Sequence, residues 1–272
     1  MSRYPRLMPA RPRLFTGTVL ATRPVSPTFQ RVTIAGADLA EFEWLGLDHW
    51  FRLFLPPAPD RPLRLPKVNG RSWYRSYLLI PAAERPHCSN YTVAGFRRGA
   101  GGGELDIDVV LHGHDGDLGG AVAQWAVRAR AGSPVAFLDQ GVQFDPPEDA
   151  EEFHLACDET GLPGVRGVLA GLHRAARGTA VLEVPTAADV TPLDAPSRMQ
   201  VRWLVRAELN GGTFRSTPGQ AALAALAEVT PGRDAYAFVV GESGLATGGR
   251  RALVRAGLPA SRITFSGYWK AA

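Results

Sequence analysis

The residues that could do chemistry begin with Arg75 and Tyr77, in the run Arg75-Ser76-Tyr77-Leu78-Leu79-Ile80. We predict a strand here, on which alternation places Arg75, Tyr77 and Leu79 on one face. A guanidinium and a phenol that project together suit a phosphate and an aromatic ring. Taken alone, however, one arginine and one tyrosine on a strand identify no function.

A glycine-rich loop is the second candidate. It follows the apolar run 105–111, contains His112 and His114, and ends at Gly120 and Ala121, where apolar residues spaced three and four apart predict a helix. The backbone N–H groups and the dipole of such a helix start can hold an anion. Because the two histidines lack a third ligand nearby, we predict no metal site.

Two further turns place acidic side chains directly after apolar runs. The tripeptide Asp158-Glu159-Thr160 follows the run 153–157, and Gly241-Glu242 follows the run 235–240. Asp158 and Thr160 are candidate helix N-caps, which explains most of that pattern. The second turn is not a nucleophile elbow, because the sequence lacks a glycine two residues after Ser243.

The elements that must position these residues follow two patterns. Short β-rich runs separated by turn formers predict a six-stranded antiparallel barrel in the N-terminal half. Its predicted strands cover residues 17–22, 31–35, 50–55, 73–80, 91–96 and 105–111, followed by a helix at 120–131 and an apolar run at 134–138. From residue 153 onward, strands alternate with helices, which is typical of a parallel, doubly wound sheet that binds nucleotides at the carboxyl ends of its strands.

We therefore predict a barrel domain at 1–143, a linker at 144–152 and an α/β domain at 153–272. The linker is acidic and contains two prolines, and residues 1–31 form an arginine-rich arm without an acidic residue. In the α/β domain the predicted strands are 153–157, 179–184, 201–205, 235–240 and 263–266, and the predicted helices are 162–176, 218–228 and 245–256.

Composition excludes several classes of protein. The 272 residues include 30 basic and 26 acidic ones, so the net charge of +4 does not indicate a nucleic-acid groove. No stretch approaches the roughly 18 to 20 apolar residues of a membrane span, and the N-terminus lacks the apolar core of a signal peptide. Cys88 and Cys157 match no metal or redox spacing, so we predict buried free thiols and a cytoplasmic protein.

Together these motifs resemble the siderophore-interacting proteins, flavin-containing ferric-siderophore reductases of the ferredoxin-reductase-like superfamily. The likeness extends from about Arg13 to Lys270. Its most specific parts are the Asp-Glu-Thr-x-Leu-Pro turn at 158–163 and the Gly-Tyr-Trp-Lys ending at 267–270.

The resemblance implies that FAD lies on the barrel, that NADPH or NADH binds to the C-terminal sheet, and that electrons pass through FAD to Fe(III) in a bound siderophore. No side chain then needs to act as an acid or a base, because the cofactor carries the chemistry. By the same resemblance, FAD would contact Arg75, Ser76, Tyr77, Leu78, His112, Gly120 and Ala121. The nicotinamide side would be lined by Asp158, Glu159, Thr160, Arg206, Gly241 and Glu242. Trp269 would lie near the flavin, and Lys270 would attract an anionic ferric chelate.

Some positions depart from the family's pattern. In the family's Arg-x-Tyr-Thr-x-Arg strand, which begins here at Arg75, Leu78 replaces the hydroxyl and Ile80 replaces the second arginine. In the phosphate loop Ala123 replaces a serine, and Cys157 replaces a glycine before the acidic turn. Each lost contact costs about 1 kcal/mol, so we expect weaker FAD binding.

These departures leave an alternative open. A repurposed relative would bind flavin weakly or not at all, and its interdomain cleft would take a small molecule for a non-redox step in natural-product assembly. Apolar replacements at a flavin site favour an apolar guest, which motivates this alternative. A third interpretation is an interaction module that uses the basic arm.

Overall fold

The computed structural model describes residues 7–8, 13–68, 73–99, 101–114, 117–212 and 217–271. The chain divides into two compact units. One, the antiparallel unit, comprises Met8–Leu45 and His49–Gly141, and the other, the parallel unit, comprises Met1–Leu7, Gly46–Asp48 and Val142–Ala272. The domain boundaries at 143 and 153 stay a prediction.

The antiparallel unit is built on one curved sheet. Its described strands are β1 (Leu14–Pro24), β2 (Phe29–Gly36), β3 (Trp50–Leu55), β4 (His87–Thr92), β5 (Gly95–Gly99), β6 (Gly102–Val110), the short pair β7 (Gly113–His114) and β8 (Asp117–Leu118), and β9 (Pro134–Asp139). The large sheet has the order β4-β3-β9-β1-β2-β6-β5, with antiparallel neighbours throughout. The predicted antiparallel barrel-type fold is confirmed, with seven described strands in this sheet instead of six.

The predicted strand at 73–80 is wrong, because Trp73–Leu78 forms the short helix α1. Trp73 and Tyr77, four residues apart, both pack on Phe54, with ring centroids 6.0 and 6.1 Å from it. Residues four apart share a face on a helix, so this packing selects the helix. Arg75 and Tyr77 therefore do not share a strand face.

The predicted strand at 91–96 is divided in two. β4 ends at Thr92 and pairs with β3, whereas β5 begins at Gly95 and pairs with β6. The chain changes its pairing partner within two residues, and the Ala94 N–H donates to the Asp106 carbonyl at 2.8 Å. The run 91–96 is continuous in the sequence, but its two ends pair with different strands.

Aromatic side chains form the centre of the antiparallel unit. The fully buried ring of Phe137 on β9 lies 5.2, 5.5 and 4.7 Å from the rings of Phe15, Phe42 and Phe51. Helix α2 (Ala121–Arg128) covers this core with Val122 and other apolar residues. The core fixes where α2 begins, and with it the glycine-rich loop before α2.

We expect Phe137→Ala to lower the free energy of unfolding by about 3 to 5 kcal/mol, because it removes a ring that contacts three others. Val127→Ala removes a side chain that is 46% exposed on α2 and should change that free energy by less than about 0.5 kcal/mol. Urea unfolding of both variants checks this, and equal losses would contradict the assigned core.

The parallel unit contains a five-stranded sheet. Its described strands are β10 (Glu152–Cys157), β11 (Arg177–Val184), β12 (Arg198–Val205), β13 (Tyr236–Glu242) and β14 (Ile263–Trp269), in the order β12-β11-β10-β13-β14. All neighbours are parallel. The helices are α3 (Leu162–Gly171), α4 (Gln220–Ala227) and α5 (Ser243–Arg255). The predicted doubly wound sheet is confirmed, and its strand order reverses between β10 and β13.

Two segments are better packed than their composition suggested. Phe144, in the predicted linker, is buried against Phe153, Tyr236 and Phe238 of the parallel unit. Within the predicted basic arm, residues 14–24 form β1 and Arg13 pairs with Asp38. Most of residues 1–12 lie outside the described residues. Across the described part of the chain, no helix is long and apolar enough to cross a membrane.

Candidate functional site

A cavity of about 600 Å³ lies in the antiparallel unit. One face of α2 lines it, together with the end of β3, the connection from β3 to β4, and the start of β4. It combines aromatic side chains, Tyr77 and Trp125, with basic ones, Arg85, His87 and Arg128. Among the described residues that line it, none is acidic. This combination suits a ligand that has both an aromatic ring and negative charge.

The Arg85 guanidinium is held firmly at the cavity wall. Its Nη2 donates to the carbonyls of Leu78 and Ile80 at 2.8 and 3.0 Å, and its Nε donates to Ile80 at 3.1 Å. The guanidinium carbon lies 5.7 Å from the centre of the Tyr77 ring, and the Tyr77 hydroxyl donates to the Pro86 carbonyl at 2.9 Å. Burial raises the pKa of the Tyr77 phenol, so it remains a neutral donor.

The start of α2 brings three predicted residues together. Gly120 has φ 80°, a left-handed conformation that favours glycine, and no side chain caps the helix there. Gly119 N–H donates to the His112 carbonyl at 2.7 Å, which places His112 beside Gly120, and the next residue, Ala121, lines the cavity. The positive end of the α2 dipole therefore lies at the cavity.

The other predicted FAD contacts lie on α1. Arg75 is exposed and Leu78 is 47% exposed, whereas the Ser76 hydroxyl accepts the backbone N–H of Lys67 at 2.7 Å. None of these three described residues lines the cavity. Tyr77 is the member of that run that does. Ala123 is buried on α2, so a serine in its place would not be exposed to a ligand.

In the parallel unit, the buried carboxylate of Asp158 connects three strand ends. It accepts hydrogen bonds from the Thr160 N–H and hydroxyl at 2.8 and 2.6 Å, from the Glu242 N–H at 2.6 Å, and from the Trp269 indole at 3.1 Å. Asp158 follows β10, and its partners lie at the ends of β13 and β14. The bond from Thr160 confirms Asp158 as an N-cap, of the 3-10 turn at Glu159–Gly161; Thr160 is not one, because Gly161 precedes α3 without a side-chain cap.

Gly241 is required beside this carboxylate. Its φ is +126°, and a Cβ there would lie 2.6 Å from the Asp158 Cγ and Oδ1. Both the conformation and the close approach exclude a side chain. The glycine thus lets β13 end against β10 at the point where the strand order reverses, which is where open α/β sheets bind ligands.

Arg206 is engaged by two carboxylates. Its Nη1 and Nη2 each donate to Glu159 at 2.7 Å, and Nη1 also donates to Glu183 at 2.9 Å. Glu183 in turn accepts the N–H groups of Gly219 and Ala222 at the start of α4, both at 2.8 Å. Arg206 is therefore a neutralised, buried element that positions Glu159.

The C-terminal segment is fastened by side chains around α5. The Ser243 hydroxyl donates to the Trp269 carbonyl at 2.6 Å, and a Glu242 oxygen accepts the Ala271 N–H at 3.3 Å. The other Glu242 oxygen accepts the Gly244 N–H at the start of α5. Trp269 is consequently held at both its backbone and its indole, while Lys270 is exposed.

Burial, reinforced by the nearby Glu159 carboxylate, raises the pKa of Asp158 from 3.8 to about 6 against the opposing effect of its hydrogen bonds. A raised carboxyl pKa means that the folded chain binds the proton more tightly than the unfolded chain. This contribution to stability is fully present below about pH 3.8 and is lost as the pH rises through about 6.

We therefore expect the difference in unfolding free energy between the wild type and Asp158→Asn to shrink as the pH rises from about 4 to about 7. Urea unfolding at several pH values measures it. A difference that grows over this range would show that the folded-state pKa of Asp158 is not raised.

Comparison with known proteins shows to which family the chain belongs. Residues 18–144 match the siderophore-interacting FAD-binding domain, and residues 150–272 match the siderophore-interacting protein family. The chain belongs to the siderophore-interacting protein family. The family predicted from the turn at 158–163 and the ending at 267–270 is confirmed, and so is FAD as the cofactor of the family's first domain.

Similar proteins include reductases. The chain is 32% identical over 183 residues to the ferric vibriobactin reductase ViuB of Vibrio cholerae, a match that covers 67% of this chain and 63% of that protein. It is 26% identical to the NADPH-dependent ferric-chelate reductase of Escherichia coli, over 99% of this chain and 98% of that protein. The crystal structure of a siderophore utilization protein from T. fusca has a TM-score of 0.77 at 28% identity, covering 98% and 96% of the two chains.

The strand pattern of the family has a second, partial match in this chain, on β4. The order Arg-x-Tyr-Thr-x-Arg fits residues 89–94, where Tyr91 and Thr92 are present on β4 and Ser89 and Ala94 occupy the arginine places. Burial raises the pKa of the Tyr91 phenol, which packs against the aromatic core.

Proposed function

We propose that this chain is a flavin-dependent reductase that takes electrons from NADPH or NADH and passes them through FAD to Fe(III) in a bound siderophore. The match of both segments, 18–144 and 150–272, to siderophore-interacting protein domains carries this proposal. Relatives named ferric vibriobactin reductase and NADPH-dependent ferric-chelate reductase support the same type of reaction.

The residues of the cavity in the antiparallel unit fit FAD. A flavin dinucleotide carries two phosphates and two aromatic ring systems, and the cavity offers cations, aromatic side chains and a helix N-terminus. Its volume, about 600 Å³, lies within the range of roughly 300 to 1,000 Å³ that is common for small-molecule sites. We assign FAD to Tyr77, Trp125, Arg128 and the α2 start at Gly120 and Ala121.

The nicotinamide nucleotide is assigned to the strand ends of the parallel unit. Thr160, Gly241 and Glu242 lie where the strand order reverses between β10 and β13. Arg206, already paired with Glu159, acts by orienting that carboxylate and not by binding a phosphate. Because Arg206 is not available for a phosphate, these strand ends bind the nucleotide through its hydroxyl and amide groups.

Bound in this cavity, FAD would supply the redox chemistry that carries electrons from the nicotinamide nucleotide to Fe(III) in the siderophore. The side chains of this chain supply position and charge. Tyr77 and Trp125 offer apolar surfaces that exclude water, and Arg128 offers a cation. Asp158 and Ser243 keep Trp269 in one place.

An absorbance spectrum of the purified chain, with FAD added if necessary, tests the proposal. We expect flavin bands in the visible range that bleach anaerobically with NADPH or NADH and return when a ferric siderophore is added. A chain that stays colourless with excess FAD would contradict the proposal. It would then favour the repurposed relative that binds a small molecule without redox chemistry.

Lys270 provides a test of the siderophore side. Only Lys67 and Lys270 are lysines in this sequence, and both are exposed, so Lys67→Met is a matched control for Lys270→Met. We expect Lys270→Met to raise the KM for an anionic ferric chelate by about threefold to tenfold at low salt, because it removes an attracting charge.

The rate of flavin reduction by NADPH should be the same in both lysine variants. A KM for the ferric chelate that is equal in Lys67→Met and Lys270→Met would remove Lys270 from the substrate side.

A further inference from the structure

The cavity of the antiparallel unit contains cations that its own chain does not neutralise. Glu84 pairs with Arg64, so the acidic residue next to Arg85 is already engaged. Neither Arg85 nor Arg128 has an ion pair with a described residue. In contrast, Arg31, Arg97 and Arg206 are each paired with carboxylates. Two unneutralised guanidinium groups at one cavity attract an anion.

The start of β4 does not add a charge to this cavity. Burial lowers the pKa of His87, so its imidazole is neutral at physiological pH. The Nε2 atom of His87 lies 2.8 Å from the Ser89 hydroxyl, which shares its strand face. The fixed positive charge at this end of the cavity must therefore come from the connection before β4.

We propose that Arg85 binds the diphosphate group of FAD in this chain. The inference rests on the proposed function. It gives Arg85 the phosphate contact that the sequence had suggested for Arg75. Arg85 lines the cavity, whereas Arg75 is exposed on α1 and does not. Arg128 supplies the second cation from α2.

The hydrogen bonds of Arg85 prepare it for this role. Nη2 and Nε are occupied by the carbonyls of Leu78 and Ile80, and the guanidinium lies over Tyr77. Its Nη1 has no hydrogen bond with any residue that the structure describes and remains available for a phosphate oxygen. A guanidinium fixed before the ligand arrives loses little side-chain entropy on binding.

Equilibrium binding of two flavins to the flavin-free full chain tests Arg85. FAD carries the diphosphate and riboflavin carries no phosphate, so their comparison isolates the phosphate contact. We expect Arg85→Met to weaken FAD binding by about 10- to 100-fold and to leave riboflavin binding within about twofold of the wild type. Arg85→Lys, which keeps the charge, should recover part of the FAD affinity.

Two arginine variants complete the design. Arg130→Met, an exposed arginine outside the cavity, is the control and should bind both flavins as the wild type does. Arg75→Met tests the position that the sequence favoured. A loss of FAD affinity in Arg75→Met but not in Arg85→Met would overturn the inference.

Equal losses for FAD and riboflavin in Arg85→Met would also overturn it, because they would show that Arg85 only stabilises the local structure. If the wild type binds neither flavin, the proposed function itself fails and this inference fails with it. That outcome is distinct, since it appears before any substitution is made.

Discussion

The parallel unit depends on one buried carboxylate. Asp158 accepts a hydrogen bond from Thr160 in its own turn after β10, and its bonds from Glu242 and Trp269 tie the ends of β13 and β14 to that turn. A buried carboxylate is costly unless its lone pairs are satisfied, and here both oxygens have donors. The same arrangement fixes Trp269 and forces glycine at position 241. The geometry of the whole strand-end region thus follows from satisfying one charge.

The fold could be predicted from local patterns because both units use ordinary periodicities. The apolar strands that alternate with helices after residue 153 appear in the structure with small changes at their ends. The Asp158 N-cap could also be predicted from the sequence, because its hydrogen bond to Thr160 spans only two residues. Interactions of this kind are encoded next to each other in the sequence.

The errors have a common cause in contacts between distant residues. The run 75–80 alternates like a strand, but Trp73 and Tyr77 find Phe54, more than eighteen residues earlier, and form a helix on it. Arg85 could not be singled out, because nothing local shows that it lines a cavity with Trp125 and Arg128 of α2. Similarly, Arg206 pairs with Glu159, 47 residues earlier, so the local sequence does not show that the charge of Arg206 is neutralised.

The chain order of the parallel unit has a consequence for folding during synthesis. The Asp48 carboxylate accepts the backbone N–H groups of Gln143 and Phe144, at sequence separations of 95 and 96 residues. Asp48 leaves the ribosome long before these partners exist, and closing so long a segment is slow. A fragment that begins at Val142 would lack the Asp48 carboxylate. The backbone N–H groups of Gln143 and Phe144 would then lose this hydrogen-bond acceptor. The parallel unit therefore depends on a residue that lies more than ninety positions before most of its chain, so a cut between the two units would remove part of its packing.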